Sequence, residues 1–210
     1  MRSKVFFING GAGRVVASIP ALEKYAETHD DFIIVCEGGM NFYRGHPVLH
    51  KYAYDNWHKG LFEDKIKDRD CVTPEPYRQW HYYNQKCSLA QAFDIEINGL
   101  EEPRELPAPN ITLAKGEGIQ GMQLVDEAIS TTGKEKVIVI QPFGRGIMDT
   151  GGYMFDPTSR SFNLSDISTI INNLKKDYCV IVMSEFPFTT EEGESKDSYI
   201  VPNIEDILRM

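Results

Sequence analysis

Short, uninterrupted apolar runs punctuate the chain. Val5-Phe6-Phe7-Ile8, Phe32-Ile33-Ile34-Val35-Cys36, Val137-Ile138-Val139-Ile140 and Cys179-Val180-Ile181-Val182-Met183 each end at polar or glycine-bearing residues. Runs of this length without polar alternation fit strands buried on both faces of a parallel sheet. Between the first two, Val15, Ile19, Leu22 and Tyr25 recur at helical spacing and predict a helix over about residues 14–28. Pro20 falls in its second turn, where it removes one hydrogen bond and favours a kink. A strand, a helix and a strand within 36 residues imply a right-handed crossover and parallel strands.

The pattern recurs towards the C-terminus. A helix is predicted over residues 116–131, with Ile119, Met122, Val125 and Ile129 inward. The run 136–140 follows, then Gln141-Pro142-Phe143-Gly144-Arg145-Gly146 as a glycine loop. Asn163 and Ser165 offer helix caps before a helix to about Lys176, and the run 178–183 is the next strand. A short helical segment is expected from Ile204. Between the two patterns, residues 70–73 suggest a short strand and 88–97 a helix with Leu89, Ala92, Phe93 and Ile97 inward. The proline- and acid-rich stretch 98–109 is the best linker. The expected architecture is therefore α/β: two Rossmann-like lobes with parallel sheets, 1–105 and 106–210, the second incomplete because few residues follow its second strand.

Composition removes several classes. With 41% hydrophobic and 25% charged residues the chain is globular in character. No apolar run approaches about 18 residues, so no membrane span is expected. The N-terminus lacks the apolar stretch of a signal peptide, which points to the cytosol. A net charge of −9 argues against a nucleic-acid binder. Cys36, Cys71, Cys87 and Cys179 form no C-x-x-C pair, so reduced thiols and no structural zinc are expected. His46-x-x-x-His50 has metal-like spacing without an acid or third histidine to complete it, so no metal is assigned. The aromatics Tyr77, Trp80, Tyr82 and Tyr83, with His81, offer stacking surfaces for a sugar or base, but packing against the core or a protein interface is the preferred reading.

The first glycine loop, Asn9-Gly10-Gly11-Ala12-Gly13, stands where a dinucleotide fingerprint would stand, and Glu37 ends the second strand where an acid binds ribose. Val16 replaces the third glycine, however, and Pro20 has no role in such a fingerprint. More residues fit another pattern. The run NGGAGRVVASIPALEKY, with Gly13, Pro20, Ala21 and Leu22, resembles the N-terminal signature of the heptosyltransferase-like GT-B glycosyltransferases. Gly45-His46-Pro47, residues 138–144 and Arg160-Ser161-Phe162-Asn163-Leu164 resemble later motifs of that family in order. The closest likeness is to glycosyltransferases encoded by tailed bacteriophages.

The resemblance implies two lobes facing a cleft. It implies metal-independent transfer of a sugar from a nucleotide-sugar donor, itself the substrate rather than a cofactor, to a glycan or other hydroxyl acceptor. Acceptor binding would fall to Gly11, Gly13 and Arg14. Donor binding would fall to Phe143, Gly144, Arg145, Gly146, Arg160 and Glu185. The family's acidic catalytic base would stand where this chain has Arg14, which cannot accept a proton. The base must then come from Glu37, or from His46, an imidazole suited to proton transfer. The family's Asp-x-Gly donor loop would lie beyond Met210. A non-catalytic nucleotide- or glycan-binding relic of the fold and an NAD-dependent oxidoreductase remain open alternatives.

Overall fold

The computed structural model describes residues 3–144, 146–149, 154–184 and 198–201. The chain divides into two units, Met1–Leu113 and Ala114–Met210.

The first unit opens with β1 (Lys4–Ile8), α1 (Ala12–Ala26) and β2 (Phe32–Cys36). A short α2 (Asn41–Arg44), β3 (Ala53–Asp55) and β4 (Asp70–Val72) follow, then α3 (Trp80–Tyr83) and α4 (Leu89–Asn98). The strands form one parallel sheet in the order β3-β2-β1-β4. Successive strand residues face opposite sides of a sheet, and both sides are covered. Phe6, Ile8, Ile34 and Cys36 pack with Ile19 and Leu22 of α1 and Phe93 and Ile97 of α4. Val5, Ile33 and Val35 pack on the other side with Ile66. Val15, Ile19, Leu22 and Tyr25 are all buried, as their spacing predicts, and Pro20 stands within the helix. Ser88 caps α4 in a capping box with Gln91, and Gly99 ends it in a left-handed turn.

Beyond Gly99 the proline-rich stretch carries no helix or strand, and it falls within the first unit, which ends at Leu113. Arg104 donates Nε to Asp94 Oδ2 at 2.6 Å and Nη2 to Oδ1 at 2.8 Å, and its carbonyl accepts from Gln91 Nε2. Further along, the carbonyl oxygen of Thr112 lies where a Cβ on Gly45 would come within 2.5 Å of it.

The second unit holds α5 (Lys115–Thr132), β5 (Val137–Ile140), a hairpin of β6 (Met148–Asp149) with β7 (Met154–Phe155), α6 (Leu164–Leu174), β8 (Cys179–Met183) and β9 (Ser198–Val201). Among the described residues β5, β8 and β9 form a parallel sheet in that order. Asn163 caps α6 by accepting from Asp166 N. The face expected for α5 is only half realised. Val125 and Ile129 pack against Cys179 and Ile181, but Ile119 and Met122 are exposed. The glycines at 116, 118 and 121 leave the first half of α5 with little apolar surface to bury. The helix expected from Ile204 lies outside the described residues.

Both units are thus α/β with parallel sheets; the first opens as β-loop-α-β, whereas in the second α5 precedes β5 and the β6–β7 pair stands between β5 and α6. No helix among the described residues is long and apolar enough to cross a membrane. The four cysteines are free thiols.

Candidate functional site

In the first unit the chain leaves β1 for β2 and β3 on one side of the sheet, then returns to place β4 on the other. The reversal makes the carboxyl ends of β1 and β4 a topological switch point, where open parallel sheets bind ligands. The loop after β1 makes its turn at Gly10, whose φ of +103° is a conformation glycine tolerates best. The Gly10 amide donates to Glu37 Oε2 at 3.3 Å, so the exposed carboxylate at the end of β2 braces the loop. Gly39, also at positive φ, lets that second loop press against Ala12 and Val15, where a side chain would meet both within 3.2 Å. Gly11 and Gly13 face open space, and no side chain caps the start of α1. The expected acceptor glycines therefore leave the helix N-terminus approachable; the close contacts belong to Gly10 and Gly39.

Arg14 reaches across the switch point. Its Nη1 bonds Glu75 Oε1 at 3.2 Å and its Nη2 bonds the Pro74 carbonyl at 2.9 Å. Its guanidinium lies 5.3 Å from the Tyr77 ring centroid and 5.8 Å from that of Phe93. Its aliphatic stem lies over Gly10, so close that a Cβ there would meet Cδ at 2.9 Å. Glu96 on α4 accepts from the Glu75 backbone amide. Burial pushes the Glu96 carboxyl above its ordinary range and the charge of Glu75 adds to this, while the Glu75 amide and Arg14 oppose it. Two carboxylates, Glu75 and Glu96, thus meet the Arg14 guanidinium at this end of the sheet, while Glu37 stands on the Gly10 amide at the end of the neighbouring β2. Of these, only Glu37 and Arg14 could be picked out from the sequence.

His46 does not join them as a base. Its side chain is fully buried, and Nδ1 accepts from the amides of Val48 and Leu49 at 3.1 and 3.0 Å. The ring proton then sits on Nε2, 2.9 Å from Glu23 Oε1 on α1. With both nitrogens engaged inside the fold, the imidazole anchors the turn after α2 to α1 and has no nitrogen left for a substrate hydroxyl.

In the second unit the loop after β5 is knitted to the segment before α6. The Phe143 ring is buried among Ile147, Ile167, Ile171, Val180 and Val182, so it is core and not a stacking surface. The Gly144 amide, expected to face an anion, donates to Ser161 Oγ at 2.9 Å. Added Cβ atoms on Gly144 and Gly146 would meet Arg160 Cβ at 2.9 Å and Thr158 Cγ2 at 2.8 Å respectively, so the structure does bring Arg160 against this loop. Asp156 organises the contact. It accepts from Thr158 N and Oγ1, Ser161 Oγ and Arg160 N at 2.6–3.1 Å, and the Ser161 and Thr158 hydroxyls above all draw its carboxyl down to about 2. The Asp-Pro-Thr-Ser run is a turn signal that could have marked this residue. Arg160 itself is exposed. Arg145 and Glu185 lie outside the described residues. No group of three or more metal-ligating side chains occurs among the described residues.

No described protein family and no curated protein matches the chain. Three solved chains resemble it, two of them structures of TibC. One is the iron-containing dodecameric glycosyltransferase TibC from enterotoxigenic E. coli H10407, at 13% identity and a TM-score of 0.38, over 86% of this chain and 53% of that one. The other is the dodecameric iron-containing heptosyltransferase TibC in complex with ADP-D-beta-D-heptose, at 12% identity and a TM-score of 0.37, over 86% and 52%. The chain spans about half the length of these structures. Likeness at this level identifies neither a family nor an activity.

Proposed function

We propose that the protein transfers a sugar from a nucleotide-sugar donor to a hydroxyl acceptor, with residence in the cytosol. The observation that carries the reading is the repeat. Two parallel-sheet units stand in one chain, each running from its first strand through a glycine-bearing loop to a helix, directly in the first and by way of the β6–β7 pair in the second. Two such binding edges can serve a two-substrate transfer, one for each partner. In this reading the acceptor lies against Gly11, Gly13 and Arg14, with Glu37 taking the acceptor proton. The donor lies against Gly146 and Arg160, with Arg145 and Glu185 completing that side and Phe143 and Gly144 shaping the loop from behind. Cations and helix N-termini stabilise the leaving phosphate, without a metal.

The Arg14–Glu75 pair favours a second reading, a binding protein built on the same fold, because a guanidinium there cannot act as a base. A thermal-shift panel tests both. Nucleoside diphosphates and nucleotide sugars are expected to raise the Tm; stabilisation by NAD alone would end both readings. Donor turnover that survives EDTA separates the enzyme from the binding protein.

A further inference from the structure

Beside the switch point of the first unit is an open hollow of about 450 Å³ lined by Tyr77, Tyr82, Tyr83, Gln85 and Cys87. That volume is within the usual small-molecule range of about 300–1,000 Å³. Tyr77 and Tyr82 meet edge to face, with ring centroids 5.7 Å apart at 74°. Tyr77 and Tyr83 are 45% and 78% exposed, so of the two expected roles, core packing or a protein interface, these rings do not fill the first. The hollow adjoins the carboxylates through Arg14, whose guanidinium both lies by the Tyr77 ring and binds Glu75.

We propose that this tyrosine hollow, with the Glu75 carboxylate at its edge, is a binding site for an uncharged carbohydrate. Tyrosine faces carry negative potential and match the electropositive C–H side of a sugar ring, while the phenol oxygens, Gln85 and Glu75 match hydroxyl groups. The lining itself selects against anionic ligands. Tyr77, Tyr82, Tyr83, Gln85 and Cys87 carry no cation, and the neighbouring Arg14 is engaged by Glu75 and Pro74. A nucleotide phosphate, a uronate or a sialic acid would find no guanidinium or ammonium in that lining to offset its charge. The assignment rests on the transfer reading for its meaning, since the sugar would be the acceptor, but its binding chemistry stands without that reading.

The test is a glycan array carrying neutral, uronate-bearing, sialylated and phosphorylated glycans, probed with the full chain. Neutral glycans are expected to be retained and acidic ones not. Tyr77→Ala and Glu75→Gln are each expected to weaken retention about tenfold, the scale of one lost aromatic or polar contact. Tyr83→Ala removes a ring exposed enough to leave folding intact, and it is expected to weaken retention as well. Retention of acidic glycans alone, retention unchanged in all three variants, or no retention would overturn the proposal. The nucleotide panel on the same preparation keeps the two readings apart. Nucleotide binding without glycan retention sinks this site alone, and glycan retention without nucleotide binding sinks sugar transfer alone.

Discussion

The two units begin from nearly the same apolar runs and bury them differently. In the first, all five residues of β2 are buried, because β2 has a neighbour on each side and covered faces above and below. In the second, β8 is similarly enclosed between β5 and β9, but β5 stands at the end of the described sheet and Val139 is 56% exposed. Position in the sheet, not the composition of the strand, decides how much each run contributes. The sites differ in the same way. A carboxylate of the first unit, Glu96, is held above its ordinary pKa by burial, while a carboxylate of the second, Asp156, is held well below by donors. One is the mark of a partly desolvated crevice, the other of a loop built around an anion of its own.

The largest test of this contrast pairs two core strands. Ile34→Ala is expected to destabilise by about 3 kcal/mol, from lost burial and the cavity left behind. Val139→Ala is expected to cost under about 0.5 kcal/mol, as at most exposed positions. Urea midpoints measure both, and equal losses would mean that the open face of β5 is covered in solution. Next is Asp94→Ala. Asp94 is fully buried and binds Arg104 through both oxygens, with Asn98 as a third donor. Removing one partner of a buried pair costs about 3–5 kcal/mol; with the Arg104 side chain 42% exposed, a loss of about 2–3 kcal/mol is expected. Proteolysis after residue 100 should quicken with it, since the pair ties the proline-rich stretch to α4.

Much of this fold is legible in the chain. The runs at 4–8, 32–36 and 179–183 become strands, the spacing of Val15 to Tyr25 becomes the buried face of α1, and Ser88 and Asn163 cap the helices they precede. Sheet order is what the sequence leaves open. Nothing local in Asp70-Cys71-Val72 says that β4 pairs with β1 rather than β3, and without that pairing Glu75 is only an acid in a loop. Glu96 is hidden for a related reason, since it flanks the buried face of α4 and gains meaning only from the crevice it borders. His46 misled in the opposite direction: an imidazole suits proton transfer in general, but the two backbone amides that engage this one become visible only in three dimensions.

The second unit's carboxylate predicts an acid-side transition. Asp156 has its pKa lowered from 3.8 to about 2, so its support of the loop is complete above the ordinary value and is lost as pH falls towards about 2. Asp156→Asn should remove that dependence. Nuclear magnetic resonance of the Gly144 and Arg160 amides is the direct readout, because both belong to the network that Asp156 holds. A wild-type loop unchanged down to pH 2, or an Asn variant with the same profile, would count against it.

The smallest expected effect has the opposite sign. Burial raises the Glu96 pKa, so the folded state disfavours its ionised form. The resulting destabilisation is absent at low pH and appears as pH rises through the ordinary carboxylate value of 4.5. Glutamine keeps an oxygen to accept from the Glu75 amide and removes the charge that opposes Glu75. Glu96→Gln is therefore expected to leave stability unchanged near pH 3 and to raise it at pH 8, by under about 1 kcal/mol because solvent screens a half-exposed group. Urea midpoints at the two pH values read the difference. A loss at pH 8 would mean that Arg14 needs a second carboxylate there, so that Glu96 supports the crevice as an ion partner rather than straining it through burial.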